Sequence, residues 1–233
     1  MNEQIPVITI DGPGATGKGT ICRLLAKWLG WHMLDSGLLY RALGFAALAE
    51  KISLGDEKAL TALAVHLPVE CHCDDPNAQT YILLDKQDIT AALHSSEVSS
   101  AASQVGAHPL VREALLARQR AFLQAPGLVT DGRDMGTVVF PHAPLKLYLD
   151  AALAIRAKRR FDQLKEQAIN ASLPRLLAEL EARDTRDKNR RVAPLLAAVD
   201  AIHIDTSTLT KKAVLERIEA HIKDHFPQWL PPS

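Results

Sequence analysis

The chain has 233 residues, long enough for one substantial α/β core carrying smaller mobile pieces. It is 47% hydrophobic and 23% charged with few aromatics, the composition of an ordinary soluble globular protein. Lys+Arg and Asp+Glu number 27 each, so no global positive field exists to hold nucleic acid or an anionic membrane.

The N-terminal residues lack a basic stretch and lead directly into a predicted strand, Val7–Asp11, which predicts no signal peptide. Directly after it stands Gly12-Pro13-Gly14-Ala15-Thr16-Gly17-Lys18-Gly19-Thr20, which satisfies G-x-x-x-x-G-K and precedes a predicted helix, Lys18–Leu29. Glycines let successive N–H groups turn inward around phosphate oxygens, the helix N-terminus adds its positive end, and Lys18 can reach the β- and γ-phosphates. The strict motif wants Ser or Thr after the lysine, whereas here Gly19 intervenes before Thr20.

A second strand, His32–Asp35, leads into a predicted helix, Gly37–Lys51, with Ser36 as its expected N-cap and Arg41 one turn inside. Taken alone, this segment also reads as an ordinary capped helix. After a helix at Glu57–His66, short strands at Val69–Cys73, Thr80–Leu84 and Asp88–Thr90 predict a small antiparallel insert over 67–95. A helix at Pro109–Leu123 and a strand at Gly127–Asp131 follow. The next turn, Asp131-Gly132-Arg133-Asp134-Met135-Gly136-Thr137, offers a guanidinium fork for phosphate and two carboxylates for a metal's water or a substrate donor. The competing reading is a purely structural Asp–Arg turn.

Strand Leu145–Asp150 precedes helices at Ala151–Ala168 and Leu173–Arg186, the second capped by Ser172. The stripe Leu173, Leu176, Leu177, Leu180 continues at helical spacing into Arg183, Asp187 and Arg190, so a face that begins apolar ends charged. Solvated i,i+4 ion pairs would produce the same pattern. From Arg156 to Arg191, eleven Lys/Arg stand against six Asp/Glu, a local excess suited to a small, highly anionic ligand. A last strand, Ala201–Asp205, and a helix, Lys211–Lys223, lead to a proline-bearing tail, Phe226–Ser233. All five long strands end in Asp, where open parallel sheets bind their ligands, and five in register would make a polar crevice. The pattern predicts a P-loop three-layer α/β/α fold with a five-stranded parallel sheet, a small antiparallel β insert and a helical lid. Core would comprise 1–66, 96–152 and 192–233, insert 67–95, and lid with acceptor-binding helices 153–191.

Other groupings read as structural. Cys71-His72-Cys73 lacks a second paired-ligand motif for zinc, His221 and His225 lie on an exposed helix face, and Cys22 belongs to the core. Three cysteines, an odd number, argue against a disulfide framework and fit a reducing cytoplasm.

Read together, GPGATGKGT, LDSGLLYR, VSSAASQV, HPLVREALLARQRAF, DGRDMGTVVFP and ARDTRDKNR resemble, in order and spacing, the bacterial cytidylate kinase family. K-G-T is the loop variant of nucleoside monophosphate kinases. The resemblance implies phosphoryl transfer from ATP to CMP or dCMP, with Mg²⁺, in a cytoplasmic monomer that binds neither nucleic acid nor membrane. It implies ATP phosphates on the loop from Gly12 to Thr20, with Arg159 and Arg160 in a mobile lid covering ATP. It implies Ser103, Arg112 and Asp134 as cytosine readers and Arg41, Arg133 and Arg190 as the clamp on the CMP phosphate. Arg183 and Asp187 would meet the ribose, and Ser36 matches another nucleotide contact. The chain departs from the family at His94, where an arginine is usual, and carries a slightly less charged lid, Asp184-Thr185-Arg186-Asp187-Lys188.

No general base is needed, because a nucleotide phosphate is already largely anionic at neutral pH, with a second pKa of about 6. Catalysis would rest on positioning and charge neutralisation by Lys18, Mg²⁺ and converging arginines, with Asp131 holding the metal through water and Thr20 beside it. The alternatives are a P-loop kinase acting on another small acceptor, an NTP-driven switch or motor, and a nucleotide-binding regulator without activity.

Overall fold

The computed structural model describes residues 5–72, 81–166 and 169–231. Five strands, β1 (Val7–Asp11), β2 (His32–Asp35), β6 (Leu128–Gly132), β7 (Leu145–Asp150) and β8 (Ile202–Asp205), form one parallel sheet in the order β2-β6-β1-β7-β8. β1 and β6 are buried at every position, which is why they read as unbroken apolar runs rather than alternating ones. The second sheet pairs β3 (Val69–His72), β4 (Tyr81–Leu84) and β5 (Gln87–Asp88) antiparallel. Cys73 and Thr80, expected at strand ends of the insert, lie outside the described residues.

The helices are α1 (Lys18–Leu29), α2 (Ser36–Ala49), α3 (Glu57–His66), α4 (Ser96–Val105), α5 (Pro109–Arg120), α6 (Leu153–Glu166), α7 (Leu173–Asn189) and α8 (Lys211–His225). On one face of the main sheet, Cys22 and Leu25 of α1 and Ile218 and Ile222 of α8 pack against Ile8, Ile10 and Leu147. On the other side, α2, α3, α4 and α5 build a second core around Leu43, Leu60, Val105 and Leu115. Ile82 and Ile89 of the insert are buried in that same core, so the small sheet is an extension of the helical layer. No helix among the described residues is long and apolar enough to cross a membrane.

Several expected boundaries shift for local reasons. Asp35, not Ser36, caps α2, its carboxylate accepting from Gly37 N at 2.9 Å. Ser36 is thereby released to donate to the Asp131 carbonyl at 2.8 Å, joining the ends of β2 and β6. Ser172 stands at the N-cap of α7, but its side chain makes no capping bond. α7 runs three residues beyond Arg186 to Asn189, which keeps Arg183 and Asp187 on helix and leaves Arg190 as the residue that ends it.

α4 is a helix not predicted from the sequence, its buried face made mostly of small residues, Ala101, Ala102 and Ser103, with Val98 and Val105. Ser95 caps it, accepting from Val98 N at 3.2 Å, and its small buried residues allow close packing. A Cβ on Gly44 of α2 would stand 3.0 Å from the Ala102 nitrogen, so α2 and α4 meet backbone to backbone.

The strand-end aspartates are not all at one level. Asp35 lies opposite Asp131, Asp11 lies one step further, opposite Gly132 and Tyr148, and Asp150 and Asp205 form a third level. The twist and offset of the sheet split them between different tasks. Asp11 accepts from the Met135 and Gly136 amides at 2.9 and 2.8 Å, fixing the tight turn after β6. Burial pushes its carboxyl up to about 6, with those two amide bonds opposing the shift.

Candidate active site

The loop after β1 bends because three residues take left-handed backbone: Gly12 at φ +144°, Ala15 at +62° and Gly17 at +97°. Two are the motif's glycines; the third is an alanine that glycine counting would pass over. Gly12 has no alternative, since a Cβ there would stand 2.0 Å from the Leu149 carbonyl of β7. Alternating handedness of this kind points backbone N–H groups into a concave turn.

Lys18 opens α1 and is 5% exposed, its Nζ donating to Pro13 O at 2.7 Å and Thr16 Oγ1 at 3.4 Å. Burial, and secondarily the positive Arg133, push it down to about 7. Across from it, burial first and the facing Asp35 second raise the Asp131 carboxyl. An ammonium and a carboxylate each disfavoured by burial gain most from added counter-charges of the kind a phosphate and a cation supply.

Both groups open on one cavity of about 620 Å³ between the loop, α2, α4 and α7. Of the loop, Gly14, Ala15, Gly17, Lys18, Gly19 and Thr20 line it. The same cavity is lined by Ser36, Arg41, Ser103, Arg112, Arg133, Asp134, Arg183, Asp187 and Arg190, every residue expected from the sequence on the acceptor side. Gly12, Pro13 and Thr16 support the loop from behind rather than lining the cavity, Thr16 Oγ1 donating to Pro13 O at 3.2 Å.

The charged wall is internally braced. Asp187 is the hub: it accepts from Arg133 Nε at 2.9 Å, lies 3.9 Å from Arg183 Nε, and accepts from Ser103 Oγ at 3.5 Å. Burial alone would raise its carboxyl, yet Arg133, Arg183 and Arg190 together hold it below the usual range. Arg112 pairs with Asp134, donates to Gly106 O at 3.0 Å and lies over the Tyr40 ring at 5.2 Å. Arg190 donates to the same Gly106 carbonyl at 3.4 Å.

That bracing leaves specific atoms unspent. Arg41 Nε, Arg190 Nε and Nη2, and Asp131 Oδ1 are buried without a hydrogen-bond partner among the described residues. Buried polar atoms are normally satisfied, so several donors in one wall mark a place for an anion. The orphan carboxylate oxygen marks a place for a cation or its water.

Two expected lid residues take different places. Arg160 lines the cavity, donating to the His94 carbonyl at 3.0 Å and so reaching from α6 to the insert side. Arg159 does not line it; it bonds Thr206 and the Thr16 carbonyl behind the loop, the latter at 3.4 Å. His94 lines the cavity, and burial with Arg41 and Arg160 beside it pushes its imidazole down.

Sequence reasoning passed over Ser99, Arg186, Arg156 and Asp184. Ser99 accepts from Arg183 at 2.9 Å and Ser103 from Arg186 at 3.2 Å, contacts that join α7 to the unpredicted α4. Arg156 is 5% exposed and bound to Asp184 at 2.6 Å. Asp184 lies four residues beyond Leu180, so the same helical stripe that picked out Arg183 and Asp187 would have found it.

Among the described residues no group of three or more His, Cys, Asp or Glu is placed to hold a metal ion. The strand bearing Cys71 and His72 is described in its backbone, and Cys73 lies outside the described residues. The His221 and His225 rings stack at 4.1 Å, and Cys22 is buried with Sγ 3.4 Å from the Val129 carbonyl.

The profile of the cytidylate kinase family matches residues 8–224. The cytidylate kinase of Azotobacter vinelandii is 54% identical over 222 residues, 95% of this chain and 97% of that protein. That of Shewanella amazonensis is 52% identical over 224 residues, 96% and 97% of the two chains. That of Klebsiella pneumoniae is 50% identical over 217 residues, 93% and 95%. A match that spans both ends of the cavity, loop and arginine wall alike, leaves one assignment: the chain belongs to the cytidylate kinase family.

Proposed function

We propose that the protein transfers the γ-phosphoryl group of ATP to CMP or dCMP within this single cavity, giving ADP and CDP or dCDP. The observation that carries the reading is the shared hollow. Lys18 and the loop line it together with Arg41 and Arg190, whose side chains keep unpartnered buried donors. Two nucleotide anions repel, and bringing them into line is the main difficulty of the reaction.

The roles follow from position. The loop from Gly12 to Thr20 cradles the donor phosphates, with Lys18 on the β- and γ-oxygens and Arg160 closing over them. Arg41, Arg133 and Arg190 clamp the acceptor phosphate. Arg183 and Asp187 meet the ribose, while Ser103, Arg112 and Asp134 read the base and Ser36 completes the acceptor contacts. An acceptor phosphate oxygen attacks the γ-phosphorus as the bond to the ADP oxygen breaks, and no base has to remove a proton. Arg159, held against the loop's back, supports the donor site from outside the cavity.

Mg²⁺ fits the residues present. Asp131 Oδ1 is buried without a partner, and a Cβ on Gly19 would stand 4.0 Å from it, so the carboxylate faces the start of α1 beside Thr20. A single carboxylate acting through water, with phosphate oxygens completing the shell, is the usual protein share for this ion. When bound, it neutralises charge on the β- and γ-phosphates. Asp131→Ala should lower apparent Mg²⁺ affinity about tenfold or more, read from the metal dependence of turnover at fixed ATP. An unchanged dependence would remove Asp131 from that role.

We assign 1–66, 96–152 and 192–233 to the core, 67–95 to the insert on the acceptor side and 153–191 to the lid and acceptor helices. A cytoplasmic monomer is the setting that the family suggests, and the balanced charge supports binding to neither nucleic acid nor membrane. The direct test is ADP formation from ATP and Mg²⁺ across CMP, dCMP, UMP and AMP. CMP and dCMP should lead. A lead by another acceptor would overturn the acceptor assignment, and hydrolysis indifferent to all four would overturn the kinase reading.

A further inference from the structure

One buried side chain ties the donor loop to the acceptor helix without lining the cavity. Arg156 of α6 donates from Nε to the Ala151 carbonyl at 2.9 Å, from Nη1 to the Gly14 carbonyl at 3.2 Å and from Nη2 to Asp184 Oδ2 at 2.6 Å. It thus touches the start of its own helix, the phosphate loop and α7 at once. Gly14 meets α7 on its other side too, since a Cβ there would lie 3.5 Å from Leu180 Cδ2 and 3.6 Å from Arg133 Nη2. Asp184, 8% exposed, sits between Arg183 and Asp187 on α7, the residues placed at the acceptor.

The geometry has a mechanical consequence. If α7 swings away to admit a nucleotide, it either abandons Arg156 or drags it off the Gly14 carbonyl. The first leaves a guanidinium in a site built to bury it, and removal of one partner of a buried pair is strongly unfavourable. The second releases the loop. Neither end therefore moves freely of the other.

We infer that Arg156, through Asp184, is a positioning residue that makes the shape of the phosphate loop and the closure of α7 a single event, so that ATP and CMP strengthen each other's binding. This rests on the proposed division of the cavity into donor and acceptor ends. Linkage requires the effect to be reciprocal: whatever factor one nucleotide adds to the other's affinity is returned in full.

The test is a binding cycle by calorimetry, with CMP titrated in the absence and presence of a non-hydrolysable ATP analogue and Mg²⁺. The wild-type protein should bind CMP at least about fivefold more tightly when the analogue is present. Arg156→Met should bring that factor to within about twofold of one, while the affinity for CMP alone shifts much less. Arg156→Lys, which keeps the charge but not the three-way fork, should fall between. Asp184→Asn, close in shape to the native side chain, should also lower the factor, and it carries the test if Arg156→Met does not fold.

Full wild-type coupling in Arg156→Met, or in Asp184→Asn where only that variant folds, would overturn the inference. So would a wild-type factor of one, or loss of binary CMP binding in step with the coupling. Failure of the wild-type protein to bind CMP at all would instead defeat the functional reading.

Discussion

Lys18→Met should lower kcat about 10³-fold while leaving KM for CMP within about threefold of wild type. Methionine has the length and flexibility to occupy the buried channel, so the loop keeps its packing and loses only the charge and the donors. The residues proposed to hold the acceptor, on α2, α4, α5, α7 and the turn after β6, do not depend on that ammonium. The effect is large because the charge works in a secluded place. Burial pushes Lys18 down to about 7, and an anion beside it offsets that penalty, so the ammonium interacts most strongly where phosphate charge is densest. A coupled assay of ADP formation measures it. A loss of less than tenfold would show that the loop's amides alone hold the donor, and Lys18 would leave the catalytic set.

The second large effect concerns the base. Asp134→Asn should reduce the ratio of kcat/KM for CMP over UMP by about 10²-fold or more, with KM for ATP little changed. Asp134 is 3% exposed and paired with Arg112, which is itself held by Gly106 O and the Tyr40 ring. The carboxylate is therefore fixed in place and purely an acceptor. In the proposed role, cytosine's exocyclic amine would satisfy it, whereas uracil would present an oxygen and leave two acceptors opposed. The asparagine amide can keep its oxygen toward Arg112 and turn its donor to uracil, so the variant should gain UMP activity as well as lose CMP activity. Equal losses for both acceptors would show that Asp134 braces Arg112 and reads nothing.

How far these residues could be read in advance differs by kind. β1, β2 and β7 lie where their apolar runs predicted, as do α1 and α3, because each has a sharp local end: Gly17 before α1, Gly30 after it, Asp56 before α3. α4 was missed because its small residues exist for the close approach of α2, a property of two segments rather than one. The swap of roles between Asp35 and Ser36 had the same origin. Both can cap a helix, and only the neighbouring Asp131 carbonyl shows which side chain is needed elsewhere.

The amino-acid sequence by itself determined the parallel sheet, the phosphate loop at the end of β1 and the chemical types of the acceptor wall. Those features rest on short-range rules, namely burial on both strand faces, glycine at a tight turn and helical spacing of three and four. Only the tertiary structure decided which charges meet. Asp187 gathers Arg133 from β6's turn and Ser103 from α4, and Arg156 joins Gly14 to Asp184, across sequence separations of 54, 84, 142 and 28 residues. A charged side chain carries no mark of its partner. Its place in a network is set by sheet order and by how far α7 extends, and those are properties of the assembled fold.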